Sequence, residues 1–165
     1  MSNSQPALKF VKTGDTEPQV FRLYIAIFPL GSGSLCHWSL VLKDSTGSID
    51  LLDANDVGGS RRHEVRDFNV MRKNHLKAIC EVANLENDEC ANSVRITAAT
   101  EEIPATGDNS FCRTWAINVL KSLEKKGMKL HDEPETIRKA VQHAAGEFSM
   151  QYGPEYYILG PPGRT

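Results

Sequence analysis

The stretch "LCHWSLVLKDSTGSIDLLDA" (Leu35–Ala54) decides the fold, because two apolar runs flank one short polar turn. "LCHWSLVLK" (Leu35–Lys43) and "SIDLLDA" (Ser48–Ala54) carry the aliphatic and aromatic residues typical of strands. "DSTG" between them ends in Gly47, a residue suited to a tight turn. The pattern predicts an antiparallel hairpin, on which the rest of the sheet is built.

Apolar runs on both sides of this hairpin predict further strands. One precedes it, "VFRLYIAIF", and two follow it. The hydrophobic period then changes to that of helices, and the last residues contain one short strand. The predicted strands are Val20–Phe28, Arg61–Val70 and His75–Ala83, and the predicted helices are Glu86–Thr100, one from about Asp108 to a C-cap at Gly127, and Glu133–Met150. Strands followed by helices predict an α+β fold, with an antiparallel β-sheet packed against helices.

The composition is that of one ordinary globular domain. The chain has 165 residues, of which 40% are hydrophobic and 24% charged, and we expect residues 1–165 to form a single domain with a flexible segment at 1–18. The net charge of -2 excludes an excess of basic residues, so nucleic acid is not an expected partner. The longest apolar run, Val20–Leu30, contains Arg22 and is too short for a transmembrane segment. With no secretory signal at the start, we expect a cytoplasmic protein.

Four cysteines, Cys36, Cys80, Cys90 and Cys112, are widely separated. They form no C-x-x-C pair and have no histidine at zinc-finger spacing, so no metal site is expected. No nucleotide-binding motif is present either, and we expect no cofactor. Most free cysteines are packing residues, and this interpretation applies to Cys36 and Cys80.

Cys112 differs from the others in its position. The segment "DNSFCRTWAINVLKSL" (Asp108–Leu123) begins with three helix-capping residues and continues with apolar residues at helical spacing. Cys112 therefore falls in the first turn of a helix, where the partial positive charge of the helix end lowers the pKa of a thiol. A thiolate is the nucleophilic form, so Cys112 is a candidate catalytic residue.

His37 is the candidate base for this thiol, because it lies within an otherwise apolar strand. Alternation places Trp38 on one face of that strand and His37 on the other, which we expect the Cys112 helix to cross. A hairpin loop of two or four residues would put Asp50 on the face of His37, and a loop of three would put Asp53 there. We expect Asp50 to orient the imidazole, with Asp53 as the alternative.

The combination of "HWSLVL", "GSIDLL" and "NSFCRTWAINVLKSLEKKG" resembles the circularly permuted papain-like fold of NlpC-type peptidases and lecithin:retinol acyltransferase-like enzymes. It resembles more closely a family of small fungal proteins with a His-Trp strand and an N-C-x-x-W helix start. The resemblance implies His37 as the base, Cys112 as the nucleophile and Asp50 or Asp53 as the third polar group. Asn109 stands three residues before Cys112, whereas the family pattern has asparagine directly before the cysteine.

These residues predict a cysteine-nucleophile acyl-transfer enzyme, a hydrolase or an acyltransferase, that acts on an amide, ester or thioester of a small molecule or peptide. Trp38, Asn109 and Trp115 are candidate substrate-binding residues. Two alternatives remain open: a papain-like binding module without catalysis, and a small cyclase or isomerase of a biosynthetic pathway that uses the same cleft.

Overall fold

The computed structural model describes residues 9–12, 18–29, 36–68, 76, 78–105, 111–147 and 157–160. These residues form seven strands and three helices. The strands are β1 (Lys9–Lys12), β2 (Arg22–Pro29), β3 (Cys36–Lys43), β4 (Ile49–Val57), β5 (Ser60–Asp67), β6 (Ala78–Asn84) and β7 (Tyr157–Gly160), and the helices are α1 (Asp88–Thr100), α2 (Phe111–Lys125) and α3 (Pro134–Glu147).

The described strands form one sheet in the order β1-β7-β6-β2-β3-β4-β5. The five strands from β6 to β5 are antiparallel to their neighbours, which confirms the predicted α+β class with helices after the strands. Strand β7 pairs in parallel with β6 and antiparallel with β1. In the sequence, the three described helices follow β6 and precede β7. They supply the long connection that a parallel pair of strands needs.

Strand β1 lies within the N-terminal segment, residues 1–18, for which the sequence predicts no strand. Its four residues pair with β7 from Lys9 opposite Gly160 to Lys12 opposite Tyr157. Residues 1–8 and 13–17 lie outside the described part of the chain.

The hairpin between β3 and β4 has a loop of three residues. The N–H of Asp44 bonds to the carbonyl of Ser48 at 3.2 Å, so the loop is Ser45 to Gly47. Gly47 has a φ of 88°, the left-handed conformation that closes a three-residue hairpin loop. The sequence places Gly47 in this turn, and the odd loop length decides which residues of β4 share a face with His37.

Apolar side chains cover both faces of the sheet, in two clusters of different size. The larger cluster contains Trp38, Leu40 and Leu42 of β3 together with all eight buried residues of α2. The smaller one lies on the other face and includes Val41, Leu51 and Phe68. Helix α2 therefore packs on the Trp38 face, and the expectation that it crosses the opposite face is wrong. The Trp38 face has the larger apolar area to bury, which is where an amphipathic helix is stabilised most.

Helix α2 ends as predicted at Gly127. The N–H of Gly127 bonds to the carbonyl of Glu124 at 3.0 Å, and that of Met128 to Leu123 at 3.1 Å. With a φ of 97° at Gly127, this is a Schellman C-cap. None of the described helices is long and apolar enough to span a membrane.

Candidate active site

Cys112 is the second residue of α2, in the first turn that the sequence predicts for it. Its sulfur hydrogen-bonds to the side chain of His37 and interacts with the backbone N–H groups of Trp38 and Arg113. Both N–H groups donate to the sulfur and so favour its negative form. Cys112 is thus held between the start of a helix and the start of a strand.

His37 lies where the ladder between β3 and β4 has ended. The register of the two strands runs from Lys43 opposite Ile49 to Leu40 opposite Leu52. Beyond that pair β3 continues along β2, with His37 opposite Phe28, and β4 continues along β5. The backbone groups of Trp38 on the β4 side are therefore free of the ladder, which is why its N–H can bond to a sulfur instead.

Asp53 is the acceptor that orients His37. The His37 Nε2 and Asp53 Oδ1 atoms are 2.9 Å apart, and the Ser39 hydroxyl donates to the same oxygen. The other oxygen, Oδ2, accepts two hydrogen bonds from Arg66, one of them from Nε at 3.1 Å. The carboxylate is fully buried, so these partners replace the water that it has lost. Because Nε2 faces Asp53, Nδ1 is the imidazole nitrogen left for Cys112.

The expectation that Asp50 faces His37 is wrong, and the alternative, Asp53, is the residue in that place. The three-residue loop puts Asp50 opposite Leu42, on the Trp38 face of the sheet. There its Oδ2 accepts from Arg95 of α1 at 3.1 Å. Arg95 also pairs with Asp44 at 2.7 Å, so Asp50 helps to fasten the hairpin to helix α1.

The charges at the site favour a thiolate beside an imidazolium. Burial lowers the pKa of His37, but hydrogen bonds and charges from Asp53 and Cys112 outweigh it and raise that pKa to about 9. Burial raises the pKa of Cys112, but the bond to His37, its charge and the two N–H groups bring that pKa below its ordinary value. The pKa of Asp53 is also lowered: burial raises it, and His37, Ser39 and Arg66 reverse the effect.

The Cys112 sulfur is buried more deeply than the His37 imidazole. Cys112 is 1% exposed, whereas the His37 side chain is 16% exposed. Trp38 and Trp115 are buried in the core, so neither has a free surface for a substrate, and they pack the sheet against α2 instead. Asn109 lies outside the described residues.

Ser39 and Arg66 belong to the site although the sequence reasoning missed them. Ser39 is two residues from His37 and shares its face of β3. The two-residue turn at Gly58 and Gly59 fixes Asp53 opposite Glu64, and Arg66 is the next residue on that face of β5. The sequence feature that could have identified Ser39 and Arg66 is the number of residues in each hairpin turn, because it sets which side chains of the paired strands share a face. Arg66 lies in the predicted strand Arg61–Val70, whose charged residues are typical of an exposed strand face.

Arg61 also has a role next to the site, since its guanidinium lies 4.2 Å from the centroid of the Phe111 ring at the start of α2. Within the described part of the chain, no three side chains of His, Cys, Asp or Glu are placed to hold a metal ion together. Comparison of the chain with protein families, with curated proteins and with solved structures finds no match.

Proposed function

We propose that the protein is a cysteine-nucleophile acyl-transfer enzyme, a hydrolase or acyltransferase, with Cys112, His37 and Asp53 as its catalytic group. We also propose that its fold is the circularly permuted papain-like fold of the NlpC and lecithin:retinol acyltransferase type. The observation that carries the proposal is the hydrogen-bonded series from the Cys112 sulfur through His37 to the buried Asp53. A nucleophile, a base and a group that orients the base are the parts that such catalysis needs.

The reaction begins when the Cys112 thiolate attacks the carbonyl carbon of an amide, ester or thioester. A sulfur–carbon bond forms and the carbonyl electrons move to the oxygen. The backbone N–H of Cys112, at the helix start, can donate to that oxygen. When the carbonyl re-forms, the bond to the leaving group breaks, and the imidazolium of His37 gives its proton to the leaving atom.

The acyl group is then released to an acceptor. Water, an alcohol or an amine attacks the thioester carbon and gives its proton to the neutral His37. The sulfur–carbon bond breaks, and the Cys112 thiolate and the imidazolium are restored. Asp53 holds the ring throughout by its bond to Nε2, and Arg66 and Ser39 hold Asp53. Water as the acceptor makes the enzyme a hydrolase.

The first test measures the thiolate directly, because Cys112 is too buried for alkylation rates alone to report its pKa. Absorbance near 240 nm follows thiolate formation with pH, and the difference from Cys112→Ser isolates this sulfur. We expect the Cys112 thiolate to form below pH 9, the ordinary value of a thiol, and to form at higher pH in His37→Ala, because only the two backbone N–H groups then oppose burial.

Cys80→Ala is the matched control, since Cys80 is also buried but has its pKa raised by burial and by Glu81. The Cys80→Ala variant should leave the rise in absorbance near 240 nm below pH 9 unchanged. Alkylation by iodoacetamide with mass spectrometry then locates the reactive sulfur. An ordinary or raised Cys112 pKa in the wild-type protein would reject the nucleophile and favour a binding module. Turnover that survives Cys112→Ala would instead favour a cyclase or isomerase.

A further inference from the structure

A groove of about 420 Å³ lies between helices α2 and α3. It begins at Arg113, the residue after Cys112, and polar or charged side chains make up most of its lining. From α2 these include Arg113, Asn118 and Lys121, and from α3 Glu135, Arg138 and Gln142. The proposed mechanism uses none of these side chains.

Positive charge dominates the groove, although the whole chain carries a net charge of -2. Glu135 is the one carboxylate among the described residues that line it, and two cations share this carboxylate. Lys121 Nζ is 2.8 Å from Oε2 and Arg138 Nε is 2.7 Å from Oε1. Hydrogen bonds from the same two side chains lower the pKa of Glu135 to about 2, so it is ionised at neutral pH. Three cations and one anion leave an excess of positive charge for a ligand to neutralise.

Arg113 connects this charge to the reacting sulfur. Its backbone N–H interacts with the Cys112 sulfur, and its guanidinium lies 5.9 Å from the centroid of the Trp38 ring. The side chain is half-buried, and no carboxylate pairs with it among the described residues. A planar guanidinium that is held near an aromatic ring keeps its donors available for a carboxylate or phosphate.

The groove follows one face of α2 away from Cys112. Arg113, Ile117 and Lys121 are four residues apart in succession, so they line up along the helix. At 1.5 Å per residue, Lys121 lies about 12 Å from Arg113 along the axis. A substrate whose carbonyl is at Cys112 can therefore place a negative group at Arg113 and extend towards Lys121.

We propose that the α2–α3 groove binds an anionic group, a carboxylate or a phosphate, of the acyl substrate. This inference rests on the proposed function, and it names the substrate class: acyl compounds with a negative charge close to the scissile carbonyl. Arg113 is the principal binding residue, and Lys121 and Arg138 extend the positive field.

Two alkylating reagents with the same reactive carbon test this inference. Iodoacetamide is neutral, so its rate depends on the fraction of Cys112 that is thiolate. Iodoacetate is anionic, so its rate depends also on the electrostatic potential around Cys112. We expect Arg113→Gln to lower the ratio of the iodoacetate rate to the iodoacetamide rate about three- to tenfold at low salt. Glu135→Gln should raise the ratio, and the difference should decrease with added salt.

Lys125→Gln is the control, because it removes one positive charge from the far end of α2, about 20 Å from Cys112. It should leave the ratio unchanged. Competition by inorganic phosphate and by acetate, at constant ionic strength, distinguishes the two anion classes. A ratio that is equal in the wild-type protein and Arg113→Gln overturns the anion site.

The failure of the two proposals is distinguishable. If neither reagent labels Cys112, the proposed function fails, and the groove is tested by thermal unfolding in phosphate. Stabilisation by phosphate that persists in Cys112→Ser and disappears in Arg113→Gln supports the anion site. Stabilisation that is equal in all three proteins, or absent from the wild-type protein, overturns it.

Discussion

Two buried cysteines of the same core, Cys80 and Cys112, have opposite pKa shifts. Burial and the charge of Glu81 raise the pKa of Cys80. Burial also acts on Cys112, but His37 and two backbone N–H groups lower its pKa. Removal from water is thus common to both thiols, and the hydrogen-bond partners decide which of them can be a nucleophile.

The His37–Asp53 bond should be visible as a raised imidazole pKa. We expect His37 to keep its second proton up to about pH 9 in the wild-type protein. In Asp53→Asn the carboxylate that raises the His37 pKa is lost while the burial that lowers it remains, so the His37 pKa should fall below about 9. Nitrogen-detected NMR titration of the imidazoles measures this shift.

Asp50→Asn is the matched control for this titration, because it removes a carboxylate of the same strand that bonds to Arg95. It should leave the His37 titration as in the wild-type protein. A wild-type His37 that titrates near pH 6.5, or an equal effect of both variants, would contradict the assignment of Asp53.

At the scale of elements, the β3–β4 hairpin decides which carboxylate reaches the base. The sequence predicts both strands and the turn, and the presence of Cys112 at the start of a helix. It did not predict that the loop has three residues, because "DSTGS" can close with two, three or four. A difference of one residue reverses the faces of β4 and replaces Asp50 by Asp53.

Arg66 was missed for a related reason. Its charge and polar neighbours are those of an exposed strand, and only the pairing of β4 with β5 brings it beside Asp53. Residue type and local pattern could therefore predict that Cys112 lies at a helix start and has His37 as its partner. The positions of Asp53 and Arg66 beside His37 depend on the register between strands, which is a non-local property.

Gly47→Ala tests the geometry of this hairpin. A φ of 88° costs a residue with a side chain about 1–2 kcal/mol, and nothing within 4 Å would meet the new methyl group. We expect a loss of about 1 kcal/mol in the free energy of unfolding, measured by urea denaturation. Gly47→Asn should lose less, because asparagine tolerates this conformation. Equal stability of the wild-type protein and the alanine variant would show that the turn needs no positive φ.

At the scale of the whole molecule, a second ionic cluster lies away from the site and joins the sheet to the connection between α2 and α3. The Oε2 atom of Glu81, a buried residue of β6, is 2.8 Å from His131 Nε2, and its Oε1 atom is 3.7 Å from Arg22 Nε. The N–H of His131 also bonds to the carbonyl of Val82 at 2.8 Å. The polar residues next to His131 in the sequence give no sign of this long-range contact.

The Glu81 cluster and the candidate site should respond separately to substitution. Glu81 is opposite Tyr24 on β2 and His37 is opposite Phe28, four residues or about 13 Å further along that strand. Glu81→Gln leaves the half-buried Arg22 without its counter-charge and removes a carboxylate acceptor from His131, so we expect it to lower the free energy of unfolding by about 2–3 kcal/mol.

The exposed Glu124→Gln is the control for this loss and should leave the urea midpoint unchanged. At a urea concentration where Glu81→Gln remains folded, its Cys112 thiolate should form at the same pH as in the wild-type protein, because the hydrogen bonds of Cys112 come from β3, α2 and, through His37, Asp53. A shifted thiolate titration would mean that the two ionic groups are coupled through the sheet. An unchanged thiolate titration with a reduced urea midpoint would mean that the Glu81 cluster stabilises the fold and does not influence the Cys112 site.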